Sequence, residues 1–127
     1  MATILLVDDS SFQRKSVCRL LSDLGHDVAE AENGEAGLHL AESKKPDLII
    51  TDLLMPVMDG LSLLRGLKKR GLATPAIVAS ADIQQATREE CLQLGARAFL
   101  TKPITTADLE TAIGQALDPR GGEKFGC

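Results

Sequence analysis

Apolar residues fall along the chain in two alternating rhythms. Five short runs are rich in strand-forming residues: Thr3–Val7, Asp27–Ala31, Asp47–Thr51, Ala76–Ala79 and Ala98–Leu100. The first, third and fourth are nearly unbroken in apolar residues, as expected of strands covered on both faces in a parallel sheet. Between the runs the spacing turns helical. Val17, Leu20, Leu21 and Leu24 follow i, i+3, i+4, i+7, and Gly25 closes that helix. Leu61, Leu64 and Leu67 repeat the rule after Asp59, a suitable N-cap, and Gly60 is expected to relieve backbone strain at that helix start. Leu109, Ala112, Ile113, Ala116 and Leu117 form the clearest stripe, introduced by Thr105 with Asp108 three places on. Asn33–Ser43 and Gln84–Leu94 have weaker patterns, and their position between strands predicts helices there too. Strand–helix alternation repeated five times implies parallel pairing through right-handed crossovers, an open three-layer α/β sandwich.

One domain is predicted over residues 1–117, with residues 118–127, which lose all apolar rhythm, as a flexible tail. The length of 127 residues is enough for one sound core. A net charge of −4, with Lys68-Lys69-Arg70 as the longest basic run, argues against a nucleic-acid partner. Apolar stretches fall far short of the ~20 residues that span a bilayer, and no signal-peptide pattern opens the sequence. Cys18, Cys91 and Cys127 form no C-x-x-C pair, so neither a zinc site nor a disulfide framework is expected, and a reduced, cytoplasmic setting is. Cys18 and Cys91 are read as half-buried packing residues and Cys127 as exposed.

The stretch LIITDLLMPVMDG, residues 48–60, sets a carboxylate, Asp52, inside an apolar run. An unpartnered buried charge costs several kcal/mol, so something nearby has to make it useful. In a parallel α/β sheet, functional groups gather in the crevice beyond the carboxyl ends of the strands. The first strand ends at Asp8-Asp9, the third at Asp52, the fourth at Ser80 and the fifth at Lys102-Pro103. Carboxylates converging within ~5 Å repel by roughly 3 kcal/mol per pair at an effective dielectric of about 20. A hard divalent cation relieves that repulsion, and an all-oxygen donor set suits Mg²⁺ or Mn²⁺; His26 and His39 lie far from this rim. Such a cation with Lys102 would cradle a phosphoryl group, with Ser80 donating to one of its oxygens and Asp52 attacking phosphorus. Taken singly these residues have plainer readings. Asp8 and Asp9 suit a helix N-terminus capped by Ser10 or Ser11, Lys102 a solvated surface, and Phe99 the core.

In combination, VDDS, ITDLLMPVMDG, SAD and KP resemble the receiver domains of two-component response regulators, most closely the stand-alone chemotaxis type (CheY-like), over Thr3 to about Leu117. The resemblance implies a flavodoxin-like (βα)5 sandwich with a five-stranded parallel sheet in the order 2-1-3-4-5. It implies Asp52 as phosphoacceptor, Asp9 as a direct Mg²⁺ ligand, Asp8 acting through water, and Asp52 and the Leu54 carbonyl completing the protein ligands. Ser80 would be the switch hydroxyl, Lys102 the phosphate counter-ion, Phe99 the aromatic switch, and the Lys102–Pro103 bond cis. The implied function is a phosphorylation-gated switch that catalyses only its own phosphorylation and dephosphorylation. Its implied partners are a histidine kinase, a phosphatase and a downstream target bound on the face of the fourth helix, fifth strand and fifth helix. With too few residues after 117 for an output domain, output is expected through protein–protein contact.

Three positions depart from the family pattern. Phe99 stands where many relatives carry Tyr, Leu54 replaces a residue that is commonly polar, and Asp82 is shorter than the frequent Glu. The last two positions tune dephosphorylation in the family. Pro56 is expected to stiffen the loop after Asp52. Three rival functions fit less well. A flavin carrier wants stacking aromatics, and the chain has no Trp or Tyr. A Mg²⁺-dependent phosphohydrolase wants a second acid where Leu54 stands. A phosphorylation-independent adaptor would have lost part of the acidic set.

Overall fold

A computed structural model describes residues 2–55, 57–81 and 84–118 of the chain. Pro56, Asp82, the expected tail beyond Asp118 and Cys127 lie outside the described residues. Strands and helices alternate throughout: β1 (Thr3–Val7), α1 (Ser11–Asp23), β2 (Asp27–Ala31), α2 (Gly34–Lys44), β3 (Leu48–Asp52), α3 (Gly60–Lys69), β4 (Ala76–Ser80), α4 (Gln85–Gln93), β5 (Ala96–Thr101) and α5 (Thr106–Leu117). All neighbouring strands pair in parallel, in the order β2-β1-β3-β4-β5.

Period-two alternation in the central strands divides their side chains between two cores. Ile4, Leu6, Leu48, Ile50, Ile77 and Ala79 pack with Val17 and Leu21 of α1 and with Leu109, Ala112, Ile113 and Ala116 of α5. Leu5, Val7, Ile49 and Val78 pack on the opposite face with Leu38 of α2, Leu63, Leu64 and Leu67 of α3, and Cys91 of α4. Cys91 is fully buried rather than half-buried, and burial raises its thiol pKa; Cys18 is half-buried as expected.

Helix starts follow the capping residues. Ser10 accepts from the Gln13 N–H, Asn33 from Ala36, Asp59 from Ser62 and Thr105 from Asp108. Only α4, begun by Gln84, has no side-chain cap bond among these helices, in keeping with its weak pattern. Gly25, at φ 89°, adopts the left-handed turn that ends α1.

β3 and β4 each run one residue further than expected, to Asp52 and Ser80, and β5 and Gly60 differ more. The fifth strand starts at Ala96, not Ala98, because a register shift opposite Ala76/Ile77 inserts one residue into it. That bulge turns Ala96 toward the α2–α4 side and Ala98 and Leu100 toward the α1–α5 side, which breaks the alternation in the sequence. Gly60 has no left-handed φ to relieve. It is required by proximity: a β-carbon there would collide with the Asp52 carbonyl oxygen, while the Gly60 N–H donates to the Leu53 carbonyl at 2.9 Å. The α3 start is thereby pinned against the end of β3.

Candidate functional site

After β1 the chain turns one way to β2, and from β3 onward it builds the other side of the sheet, so a crevice opens between the carboxyl ends of β1 and β3. Asp8 and Asp9 stand at one lip and Asp52 at the other. Each of the three offers a carboxylate oxygen, and these oxygens all lie within 4.8 Å of one another. Asp8 (4% exposed) and Asp52 (7%) are buried, whereas Asp9 is open to solvent.

The β1–α1 turn is held by its own polar groups. Asp8 Oδ1 accepts from the Ser10 N–H at 2.9 Å, the side-chain turn that Asp favours. Arg14, from the first turn of α1, donates to the Asp8 carbonyl at 2.7 Å and pairs with Glu30 of β2 at 3.1 Å. On the other lip, Asp52 closes β3 with its carbonyl accepting from Thr51 Oγ1 at 2.9 Å, and the Leu53 N–H bonds the Ala79 carbonyl of β4 at 3.0 Å.

Lys102, just past β5, spans the crevice. Its backbone N–H donates to the Ser80 carbonyl at 3.0 Å, and the peptide bond to Pro103 is cis. Its ammonium pairs with Asp52 Oδ1, lies 3.8 Å from Asp8 Oδ2 and donates to Gln13 Oε1 at 2.7 Å. Burial, the largest influence, pushes the Asp52 carboxyl up to about 6; the hydrogen bond from Lys102 opposes this and neighbouring Asp8 adds to it. A buried carboxylate resisting ionisation beside two others is the charge pattern that a hard cation offsets, and the all-oxygen set fits Mg²⁺.

A cavity of about 350 Å³ forms the mouth, lined by Gln13, Asp52, Leu54, Ala79, Ser80, Ala81 and Lys102. The Leu54 side chain is 77% exposed at this rim, and buried Ser80 ends β4 beside it. Phe99 is not part of the mouth. It is half-buried on β5, under the guanidinium of Arg88 at 4.3 Å, and lines a separate cavity of about 600 Å³ between α4, β5 and α5. Residues 8, 9, 52, 54, 80 and 102 thus converge, and Phe99 faces a different surface. Gln13 and Arg14 join the site without any sequence signal, since their partners are set only by the fold.

The response regulator receiver domain matches residues 4–114. The chain belongs to that family. It is a receiver domain of two-component signalling, and its sheet order is the CheY-like flavodoxin arrangement. It is 36% identical to PilH of Pseudomonas aeruginosa over 92% of this chain and 98% of that protein. With the nitrate/nitrite response regulator NarL of Escherichia coli K12 it shares 42% identity over 91% of this chain, which spans only 54% of NarL. Among solved structures, CheY4 of Vibrio cholerae matches with a TM-score of 0.86 at 30% identity, covering 92% of this chain and 99% of that one. The receiver domain of the sensor histidine kinase PA1611 from P. aeruginosa PAO1, solved with a magnesium ion in its active-site cleft, matches at 0.82 and 31% identity, covering 91% and 97%. No helix among the described residues is long and apolar enough to cross a membrane.

Proposed function

We propose that this receiver domain is a phosphorylation-gated switch acting in the cytoplasm, with residues 1–117 as the working unit and Asp52 as its phosphoacceptor. The observation that carries the reading is the position of Asp52: a buried carboxylate at a strand end, within 4.8 Å of two others and paired to Lys102. Mg²⁺, held by Asp9, Asp52 and the Leu54 carbonyl with Asp8 acting through water, would offset charge on the phosphoryl oxygens and on Asp52. The chain's own groups do the rest. An Asp52 oxygen attacks phosphorus to give an acyl phosphate, and the donor's leaving group departs with the bonding electrons. Lys102 pairs with a phosphoryl oxygen, and the Ser80 hydroxyl donates to another.

The gain of nearly two negative charges at Asp52 draws Ser80 inward and alters the α4–β5–α5 surface, where Phe99 lies. A histidine kinase supplies the phosphoryl group, a phosphatase removes it, and a downstream protein reads that surface. Incubation with phosphoramidate and Mg²⁺, followed by intact mass, tests the reading. Wild type gains one phosphate only when Mg²⁺ is present, and Asp52→Ala gains none. Equal labelling of the Asp52→Ala chain overturns the assignment.

A further inference from the structure

Lys102 reaches the mouth on a flexible four-carbon stem, and freezing such a side chain costs entropy unless its charge is held. Three acceptors surround its ammonium: Asp52 Oδ1, Asp8 Oδ2 at 3.8 Å and Gln13 Oε1 at 2.7 Å. The two carboxylates are the groups that a divalent cation and an incoming phosphoryl group would engage. Gln13 is the acceptor of the three that carries no charge, so it has no pull on a cation comparable to theirs. Its own place is fixed from behind. It sits in the first turn of α1, where its backbone N–H donates to the capping hydroxyl of Ser10 at 3.2 Å. From there its side chain lines the same cavity as Asp52, Leu54, Ser80 and Lys102.

We propose that Gln13 is a positioning residue for Lys102, keeping the ammonium over the mouth when the carboxylates are occupied. The inference rests on Asp52 being the phosphoacceptor. With Gln13 in place, Lys102 exchanges Asp52 for a phosphoryl oxygen by a short movement. Without it, the ammonium either stays on Asp8 and Asp52 or swings into water, and in both cases it is absent when charge builds on the phosphoryl oxygens.

The test uses the full chain with phosphoramidate and Mg²⁺, following phosphate gain by intact mass in wild type, Gln13→Met, Lys102→Met and the double variant. Methionine matches the length of glutamine and cannot accept the bond strongly. Gln13→Met lowers the saturating rate about tenfold, the loss of one charge-assisted hydrogen bond, with half-saturating Mg²⁺ within about twofold of wild type. In the Lys102→Met background, the Gln13→Met change has no further effect on the residual rate. A structural role for Gln13 would slow both backgrounds equally, and that result overturns the proposal, as does a Gln13→Met rate matching wild type. A wild-type chain that takes up no phosphate sinks the phosphoacceptor reading and this inference with it. Labelling of wild type with no Gln13 effect sinks this inference alone.

Discussion

Gly60 presses its α-carbon against the backbone of Asp52, so that any β-carbon at position 60 would run into the Asp52 carbonyl oxygen and the Leu53 α-carbon. Both obstacles are backbone, which cannot rotate away. Gly60→Ala should therefore destabilise the fold by about 2 kcal/mol or more, as overpacking does. Gly114, exposed within α5 with nothing within 4 Å of a built β-carbon, is the contrasting case. Gly114→Ala should stabilise by roughly 0.8 kcal/mol through helix propensity. Chemical denaturation followed by far-ultraviolet circular dichroism measures both in a chain without Trp or Tyr. Equal effects at the two positions would contradict the packing account.

The Asp52 carboxyl, raised by burial to about 6, makes stability depend on pH in a defined direction. Its folded pKa lies above the unfolded value of about 3.9, so the folded chain holds that proton more tightly. The stabilisation is fully present below about pH 4 and is lost as pH rises through about 6. At pH 7.5 without Mg²⁺, Asp52→Asn should be more stable than wild type by on the order of 2 kcal/mol, and the gap should close near pH 4. Saturating Mg²⁺ should stabilise wild type and leave Asp52→Asn nearly unchanged. Thermal unfolding across pH checks this; an Asn variant less stable than wild type at pH 7.5 would contradict it.

Arg88 lies 4.3 Å above the centre of the Phe99 ring, a stack between an α4 cation and a β5 aromatic that lacks a hydroxyl. The interaction is expected to contribute about 0.5–1 kcal/mol. A double-mutant cycle of Arg88→Ala and Phe99→Leu measures it directly, and a coupling of zero would show that the contact adds nothing.

Leu54 is exposed at the rim of the mouth that Asp52 lines; on the proposed phosphoacceptor reading, its apolar side chain hinders the water that would attack the acyl phosphate. Leu54→Asn should make the phosphorylated chain decay several-fold faster. The decay rate of purified phosphorylated protein, followed by intact mass, gives the answer; an unchanged rate removes Leu54 from the account.

Much of this was readable in the sequence because the relevant signals are local. Continuous apolar runs marked β1, β3 and β4, capping residues marked the starts of α1, α3 and α5, and strand ends marked where Asp8, Asp9, Asp52, Ser80 and Lys102 would emerge. What stayed hidden depends on contacts between distant segments. The bulge that extends β5 to Ala96 arises from its register on β4, and no residue in that run announces it. Gly60 looked like a conformational need and proved to be a matter of space, because the obstacle is a carbonyl on another element. Gln13 carries no motif at all: its partner, Lys102, is 89 residues away and reaches it only once the sheet is assembled.

The central claim is that Asp52 itself carries the phosphoryl group. The direct measurement is borohydride reduction of the chain after phosphoramidate and Mg²⁺ treatment, which converts an acyl phosphate to an alcohol, followed by peptide mass mapping. The account predicts homoserine at position 52, absent without Mg²⁺ and in Asp52→Ala. Reduction at Asp8 or Asp9 with position 52 intact, or none anywhere in a chain that has gained phosphate, would contradict it.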